Sequence, residues 1–147
     1  MTVDRPGMGV IMDLLLGSER SSEGRRDFMR TQLLFWMLAA IDGHAKNFSV
    51  LLLPGVAYRL TPRYDILSAY PVLGHGRGKL PTQKIRMAMA VQGKNRHYRW
   101  KEISARHWME TAKQCGFGEM EVVIQDLSEP TGRRGKNHQI VFTNGSW

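Results

Sequence analysis

The sequence has little cysteine and a shortage of acidic side chains. Cys115 is the one cysteine among 147 residues, and 13 acids face 21 lysines and arginines. A lone cysteine excludes an internal disulfide and is typical of a reducing compartment. Residues 1–6 contain no apolar signal core, and the longest apolar run, 33–41, is too short to span a bilayer. We therefore expect a cytoplasmic protein with no membrane contact.

Sequence patterns of several common enzyme classes are also missing. No serine lies in the Gly-x-Ser-x-Gly turn of many hydrolases. Zinc-ligand spacing is absent among His97, His107 and His138. The glycine-rich stretch 74–78 lacks the Lys-Ser/Thr ending of a phosphate-binding loop, so we interpret it as a flexible connector.

The positive charge is concentrated in one part of the chain. Residues 77–106 contain nine lysines and arginines and one acid, Glu102, which equals the whole formal net charge of +8. Such a stretch can attract a phosphate backbone or an acidic protein. A solvated surface without a ligand is the alternative interpretation.

The apolar pattern predicts one folded domain of the α+β class, mainly helical. With 42% hydrophobic residues, the chain can bury a core. We expect helices at 9–16, 25–41 and 104–115, the last with Trp108 and Ala112 on its core face. A buried strand at 48–53 and a second at 58–61 should form a hairpin around Pro54 and Gly55. Alternation over 85–91 predicts a half-exposed strand, with 97–100 pairing back.

A constellation of polar residues surrounds the first predicted hairpin. Asp42 opens the run Asp-Gly-His-Ala-Lys-Asn, Asn47 ends it, and Asp65 follows the second strand. Because a hairpin brings its two ends together, these side chains should lie in one small volume. Phosphoryl transfer needs a carboxylate near the attacking hydroxyl, and an amide and a second carboxylate to hold magnesium. The order of residues predicts such a site.

Each of these residues also has a simpler interpretation. Asp42 before a glycine is typical of a turn, and Asp65 could cap the turn after Pro62. His44 could donate a hydrogen bond that shapes the loop, and Lys46 could be a solvated surface charge.

Three segments together resemble a known family. They are 28–49, which ends in Asp-Gly-His-Ala-Lys-Asn-Phe-Ser, then Tyr-Arg-Leu-Thr-Pro at 58–62 and Tyr-Asp-Ile-Leu-Ser-Ala-Tyr-Pro-Val-Leu at 64–73. Over roughly residues 5–127 the chain resembles the C-terminal lobe of HipA-type serine/threonine kinases, the toxins of bacterial toxin–antitoxin pairs. The resemblance implies a protein-kinase-like lobe whose small β-hairpins carry the active site. Residues 128–147 lack any sustained period, and we expect a divergent, disordered tail.

The resemblance also implies roles for individual residues. Asp42 matches the catalytic aspartate that accepts the proton of the substrate hydroxyl, and Asn47 and Asp65 match the magnesium ligands. The nucleotide-binding positions comprise these two ligands and the residues His44, Ala45, Lys46 and Tyr64. Lys113 matches a basic position that meets DNA in the family. The implied cofactors are ATP and Mg²⁺.

The same family normally has an N-terminal lobe with a glycine-rich loop and a nucleotide-binding lysine, which we do not find here. A truncated product, a split kinase completed by a separately encoded lobe and a degenerate relic are the three explanations. We expect the chain to be a kinase lobe that is weakly active alone. The alternative is a non-catalytic module that binds an antitoxin, DNA or both. Implied partners are a HipB-like DNA-binding antitoxin, DNA through that antitoxin, and a protein substrate such as an aminoacyl-tRNA synthetase.

Overall fold

The computed structural model describes residues 6–62 and 67–129 as four helices and two separate antiparallel hairpins. In chain order the elements are α1 Met8–Leu16, α2 Ser21–Met37, β1 Val50–Leu52, β2 Tyr58–Leu60, β3 Arg86–Gln92, β4 Arg96–Arg99, α3 Ala105–Gln114 and α4 Met120–Ser128. The predicted mixture of helices and small hairpins is confirmed. The expected tail, 128–147, lies outside the described residues from 130 onward.

Helix α2 is displaced from its predicted range of 25–41. It begins at Ser21 and ends at Met37 because Ala39 adopts the left-handed conformation, with φ of 49°. The Ala39 N–H donates to the Trp36 carbonyl at 3.1 Å, and the Ala40 N–H donates to the Phe35 carbonyl at 2.7 Å. This pair of bonds is the Schellman ending, in which glycine usually occupies the left-handed position. Residues 40–49 are thereby released from the helix as a loop.

The first hairpin forms where the sequence predicts it, but its burial was predicted wrongly. Leu51 pairs with Arg59 and Leu52 with Tyr58. The β1 side chains are exposed rather than buried, and Leu52 reaches 77% exposure. Within the described residues, β1 pairs only with β2, so its apolar composition does not place it in the core. The Tyr58 hydroxyl donates to the Leu14 carbonyl and ties the hairpin to α1.

The second hairpin packs one face against the core, as its alternating pattern predicts. Met87, Met89 and Val91 of β3 are buried, whereas the residues between them are partly exposed. Helix α3 lies against this strand with Trp108 and Ala112 buried. The core also contains apolar side chains of α1, α2 and α4, including Met12, Leu15, Phe28, Met29, Met120 and Val123.

The side chain of His107 helps to cap the N-terminus of helix α3. The His107 Nδ1 accepts a hydrogen bond from the Ser104 N–H at 3.1 Å, and the Ser104 Oγ lies 3.2 Å from the same nitrogen. The His107 ring also stacks on His97, with 4.2 Å between the ring centroids. A proton on Nδ1 would remove the acceptor and place a charge on the buried His107 ring, beside His97.

Among the described residues, no helix is both long and apolar enough to cross a membrane.

The turn of the first hairpin contains an unfavourable residue. Val56 has φ of 62°, is 98% exposed and therefore gains little from packing. The left-handed region costs an ordinary L-residue about 1 kcal/mol or more, and asparagine tolerates it better. We expect Val56→Asn to raise the free energy of unfolding by about 1 kcal/mol in urea titrations. Val122→Asn, on the exposed side of α4, is the control and should give no gain. Equal effects in both variants would contradict the prediction.

The buried histidine makes stability depend on pH. Burial lowers the pKa of His107, and His97 and Arg106 lower it further. As the pH falls, the unfolded chain, with a histidine pKa of about 6.5, binds the proton before the folded chain does. As the pH falls below that value, the free energy of unfolding should decrease, until the pH passes the lower pKa of the folded state.

Urea midpoints at successive pH values measure this effect. His107→Gln should flatten the decrease, whereas His75→Gln, an exposed residue of the 74–78 connector, should leave it in place. If the wild-type midpoint is constant between pH 7.5 and about 5.5, the assigned role of His107 is wrong.

Candidate active site

The loop that follows α2 is held by its own backbone. The His44 N–H donates to the Asp42 carbonyl at 2.9 Å, and the Asn47 N–H donates to the His44 carbonyl at 3.0 Å. Ala45–Asn47 forms one 3-10 turn, after which Phe48 is extended and leads into β1. The polar residues from Asp42 to Asn47 are therefore folded into a compact unit.

A hydrogen-bond network joins three of the predicted site residues. The orientation of the Asn47 amide is assigned from its surroundings: its nitrogen then donates to the Asp42 carbonyl at 2.9 Å and to His44 Nδ1 at 2.7 Å. Because Nδ1 accepts, the ring proton lies on Nε2, which is 3.2 Å from Asp42 Oδ1. His44 therefore links the carboxylate of Asp42 to the amide of Asn47.

The carboxylate of the network is open to solvent. The Asp42 side chain is 82% exposed, and that of His44 is 27% exposed. With the Asn47 nitrogen turned toward His44, the amide oxygen lies on the opposite side of the carboxamide. Lys46 is exposed on the same turn, and Ala45 is partly buried against the core. The loop thus offers a carboxylate, an amide oxygen and a cation within six residues of sequence.

Aromatic packing fixes the loop from beneath. Gly43 is buried directly on the Phe35 ring, where an added Cβ would lie 2.1 Å from Phe35 Cδ2. Phe48 packs between two rings of α2, with centroid distances of 4.8 Å to Phe28 and 6.1 Å to Phe35. The Gln32 amide also approaches the Gly43 carbonyl, at 3.4 Å. Only a glycine fits between Asp42 and His44 at this distance from the helix.

Tyr64 and Asp65 lie outside the described residues, but both flanks of their segment are bonded near the loop. Before it, the Thr61 N–H donates to the Ser49 carbonyl at 2.9 Å. After it, the Ser68 hydroxyl donates to the Leu38 carbonyl at 2.6 Å. The Ala69 N–H and the Tyr70 hydroxyl donate to the next carbonyls of the α2 end, those of Ala39 and Met37.

Two tryptophans connect the same helix end to the second hairpin. The Trp100 Nε1 donates to the Trp36 carbonyl at 2.8 Å, and the Trp36 Nε1 donates to the Trp100 carbonyl at 3.3 Å. The Tyr70 ring packs edge-on against Trp100 at 6.1 Å, and burial raises the pKa of Tyr70. Tyr70 and Trp100 therefore both bond to the end of α2, which precedes the loop.

Lys113, the predicted DNA-contacting residue, is exposed on α3 and lies in a different part of the fold. The structure does not bring it to the Asp42–Asn47 loop. Its role stays a prediction.

Sequence reasoning missed the residues that support the loop. Phe35 and Trp100 resemble the other aromatic residues of the sequence, Gln32 belongs to no motif, and the sequence contains no signal for their contacts. Ser68 and Tyr70 belong to the same motif, 64–73, as Asp65. This shared motif is the one sequence feature that links them to the site.

The close approach of Gly43 to Phe35 predicts a specific sensitivity. Gly43→Ala forces the ring or the loop to move, and we expect a loss of about 1–3 kcal/mol in the free energy of unfolding. Gly118→Ala is the matched control, because a Cβ there meets nothing within 4 Å. Urea denaturation of both variants tests this; equal stability of the two would refute the packing argument.

Comparisons with known proteins agree on one family. The profile of the HipA-like C-terminal domain matches residues 4–133. The fold also resembles HipA of Shewanella oneidensis MR-1, solved with HipB and its operator DNA, with a TM-score of 0.66 and 18% sequence identity. That match covers 83% of this chain and 26% of the HipA chain, so this chain spans about a quarter of its length. The chain therefore belongs to the HipA-like C-terminal domain family.

Proposed function

We propose that this chain carries the catalytic loop of a HipA-like serine/threonine protein kinase, which transfers the γ-phosphate of ATP to a protein hydroxyl. The observation that supports this best is the network of Asp42, His44 and Asn47. It holds an exposed carboxylate and an amide at a fixed spacing, as phosphoryl transfer requires. Membership of the family agrees with this function.

Asp42 is the proposed catalytic base. Its carboxylate is exposed, so a hydroxyl of another protein can approach it. The bond from His44 Nε2 restricts the rotation of the carboxylate while occupying one of its oxygens. The other oxygen is available to accept the substrate proton. His44 acts here as a positioning residue, which agrees with the simpler interpretation of its sequence context.

Asn47 and Asp65 are the proposed magnesium ligands. Mg²⁺ prefers hard oxygen ligands, and an amide oxygen with a carboxylate is a suitable pair. The oxygen of Asn47 is turned away from His44, and the flanks of the Asp65 segment are bonded to Ser49 and Leu38 on either side of the loop. When bound, the ion neutralises charge on the nucleotide phosphates.

The remaining nucleotide contacts are proposed for neighbours of these ligands. Lys46 is exposed and can offset charge on the transferred group. His44, Ala45 and Tyr64 complete the predicted nucleotide-binding set. Of these residues, Tyr64 alone lies outside the described part of the chain.

Partners of the whole protein are likewise proposals. We assign residues 5–127 to the kinase-like lobe and 128–147 to a divergent tail. Because the chain spans 26% of the similar HipA chain, we propose that efficient transfer needs a further lobe to grip the nucleotide. A HipB-like antitoxin is the proposed regulatory partner, an aminoacyl-tRNA synthetase the proposed type of substrate, and the cytoplasm the proposed location.

Binding of a divalent ion tests the site without requiring turnover. Mn²⁺, a paramagnetic substitute for Mg²⁺, should broaden the amide NMR signals of the Asp42–Asn47 loop. We expect Asn47→Ala and Asp65→Asn each to weaken this effect at least about tenfold in Mn²⁺ concentration, since each removes a ligand. Asp126→Asn, on an exposed part of α4, is the control and should retain the wild-type response.

Turnover is then measured with labelled ATP, Mg²⁺ and a protein substrate, with and without a candidate N-terminal lobe. We expect weak transfer by the chain alone, an increase with the lobe, and loss of at least about 1,000-fold in Asp42→Ala. Phosphate transfer that persists in Asp42→Ala would contradict the proposal. Mn²⁺ broadening that is unchanged in both Asn47→Ala and Asp65→Asn would also contradict it.

A further inference from the structure

An exposed apolar segment follows the proposed magnesium ligand Asp65 along the chain. Leu67 is 75% exposed, and the side chains of Tyr70 and Val72 are also exposed. We call these three side chains the 67–72 surface. The stretch 67–74 contains no charged residue. Single exposed apolar residues are common on proteins, whereas neighbouring ones mark places of contact with another molecule.

Hydrogen bonds hold the backbone of this surface in place. The Val72 N–H donates to the Ala69 carbonyl at 3.0 Å and closes a 3-10 turn. The Ser68 Oγ accepts from the Tyr70 N–H at 3.2 Å. After the turn, the Leu80 N–H donates to the Val72 carbonyl at 2.7 Å. A surface that is already ordered loses little conformational entropy when a ligand binds to it.

The surface lies beside the candidate active site. The Ala69 N–H donates to the Ala39 carbonyl at 3.1 Å, at the end of α2. Asp42 follows Ala39 by three residues, which span at most about 11 Å of backbone. An extended peptide rises about 3.3 Å per residue. A substrate residue within about five positions of the acceptor hydroxyl can therefore reach this surface when that hydroxyl is at Asp42.

The chemistry of the surface differs from that of the proposed metal and nucleotide sites, which offer oxygen ligands and a cation. The Tyr70 hydroxyl already donates to the Met37 carbonyl at 2.8 Å. The remainder of the surface consists of the Leu67 and Val72 side chains and the exposed part of the tyrosine ring. Removal of apolar area from water is therefore the main favourable contribution that a ligand can obtain here.

Position and charge favour a protein substrate as the occupant. Its acceptor hydroxyl has to approach Asp42, so the neighbouring part of the substrate is brought to this surface in every turnover. A second copy of the chain carries the same net charge of +8, and like net charges oppose association.

We propose that the 67–72 surface binds an apolar side chain of the protein substrate, close in sequence to the serine or threonine that receives the phosphate. This inference rests on the proposed kinase function and adds a substrate class to it: extended segments that carry a large apolar residue within about five positions of the acceptor. Binding of that residue holds the acceptor hydroxyl near Asp42.

Peptide binding to the 147-residue chain tests the surface without turnover. The probes are extended peptides with alanine in place of the acceptor and one leucine, which is moved over about five positions on either side. We expect one or more of them to shift the methyl NMR signals of Leu67 and Val72. A peptide with glycine in place of the leucine should leave these signals unchanged. Absence of shifts with every leucine peptide would overturn the proposal.

A matched pair of variants locates the contact. By fluorescence anisotropy with the best leucine peptide, L67Q/V72T should weaken binding about tenfold, the lower end of what burial of one leucine side chain gives. V10T/L16Q makes the same changes at exposed positions of α1 and should bind like the wild type. Thermal melts establish that both variants fold. Equal losses of affinity in the two variants would show that the 67–72 surface is not the site.

Transfer from labelled ATP to the corresponding serine peptides separates this inference from the proposed function. L67Q/V72T should raise KM for the leucine peptide about tenfold with kcat unchanged, because the lost contact is uniform binding. Asp42→Ala should lose transfer and keep peptide binding. Transfer without any preference for leucine would overturn this inference and leave the kinase function standing. Leucine-dependent methyl shifts without any transfer would contradict the kinase function and, with it, the substrate role of the surface.

Two controls exclude other occupants. Methyl signals of Leu67 and Val72 that change with the concentration of the chain alone would show that a second copy binds there. Signals that no longer respond to the peptide once a candidate N-terminal lobe is added would show that the lobe covers the surface. Either result would overturn the proposal.

Discussion

The C-terminal carbonyl groups of α2 determine the arrangement of the parts around the candidate site. A helix leaves its last carbonyls without partners inside the helix, and these must be satisfied elsewhere. Here the Trp36 carbonyl accepts from Ala39 and from the Trp100 indole. Those of Met37 and Leu38 accept the hydroxyl groups of Tyr70 and Ser68. One helix end therefore fixes the loop that leaves it, the segment that returns after the first hairpin and the end of the second hairpin.

This arrangement explains which features the sequence predicted and which it did not. The second hairpin follows from the alternation over 85–91, and the core face of α3 follows from Trp108 and Ala112, since both patterns reflect direct burial. The first hairpin follows from its turn residues, Pro54 and Gly55. The end of α2 does not: residues 38–41 are Leu-Ala-Ala-Ile, which favour a helix, and tertiary hydrogen bonds force Ala39 into the left-handed region. The exposure of β1 escaped prediction for a related reason, because composition does not show how many neighbours a strand has.

The sequence predicts which residues belong to the candidate site better than it predicts their geometry. Residues Asp42, His44 and Asn47 were named from a short motif, and the structure brings them into one network. The tautomer of His44 and the direction of the Asn47 amide depend on distances, which a sequence does not contain. Their chemical roles, and those of Tyr64 and Asp65, stay predictions.

The dependence on one helix end also restricts how such a chain can vary among relatives. An α-helix turns by about 100° per residue, so one inserted or deleted residue within α2 would rotate its last carbonyls away from Ser68, Tyr70 and Trp100 together. The 74–78 connector carries the exposed glycines Gly76 and Gly78 and can change length without that effect. We would expect family members to keep the length of α2 between its core residues and the Asp-Gly pair, and to place their insertions in the connector.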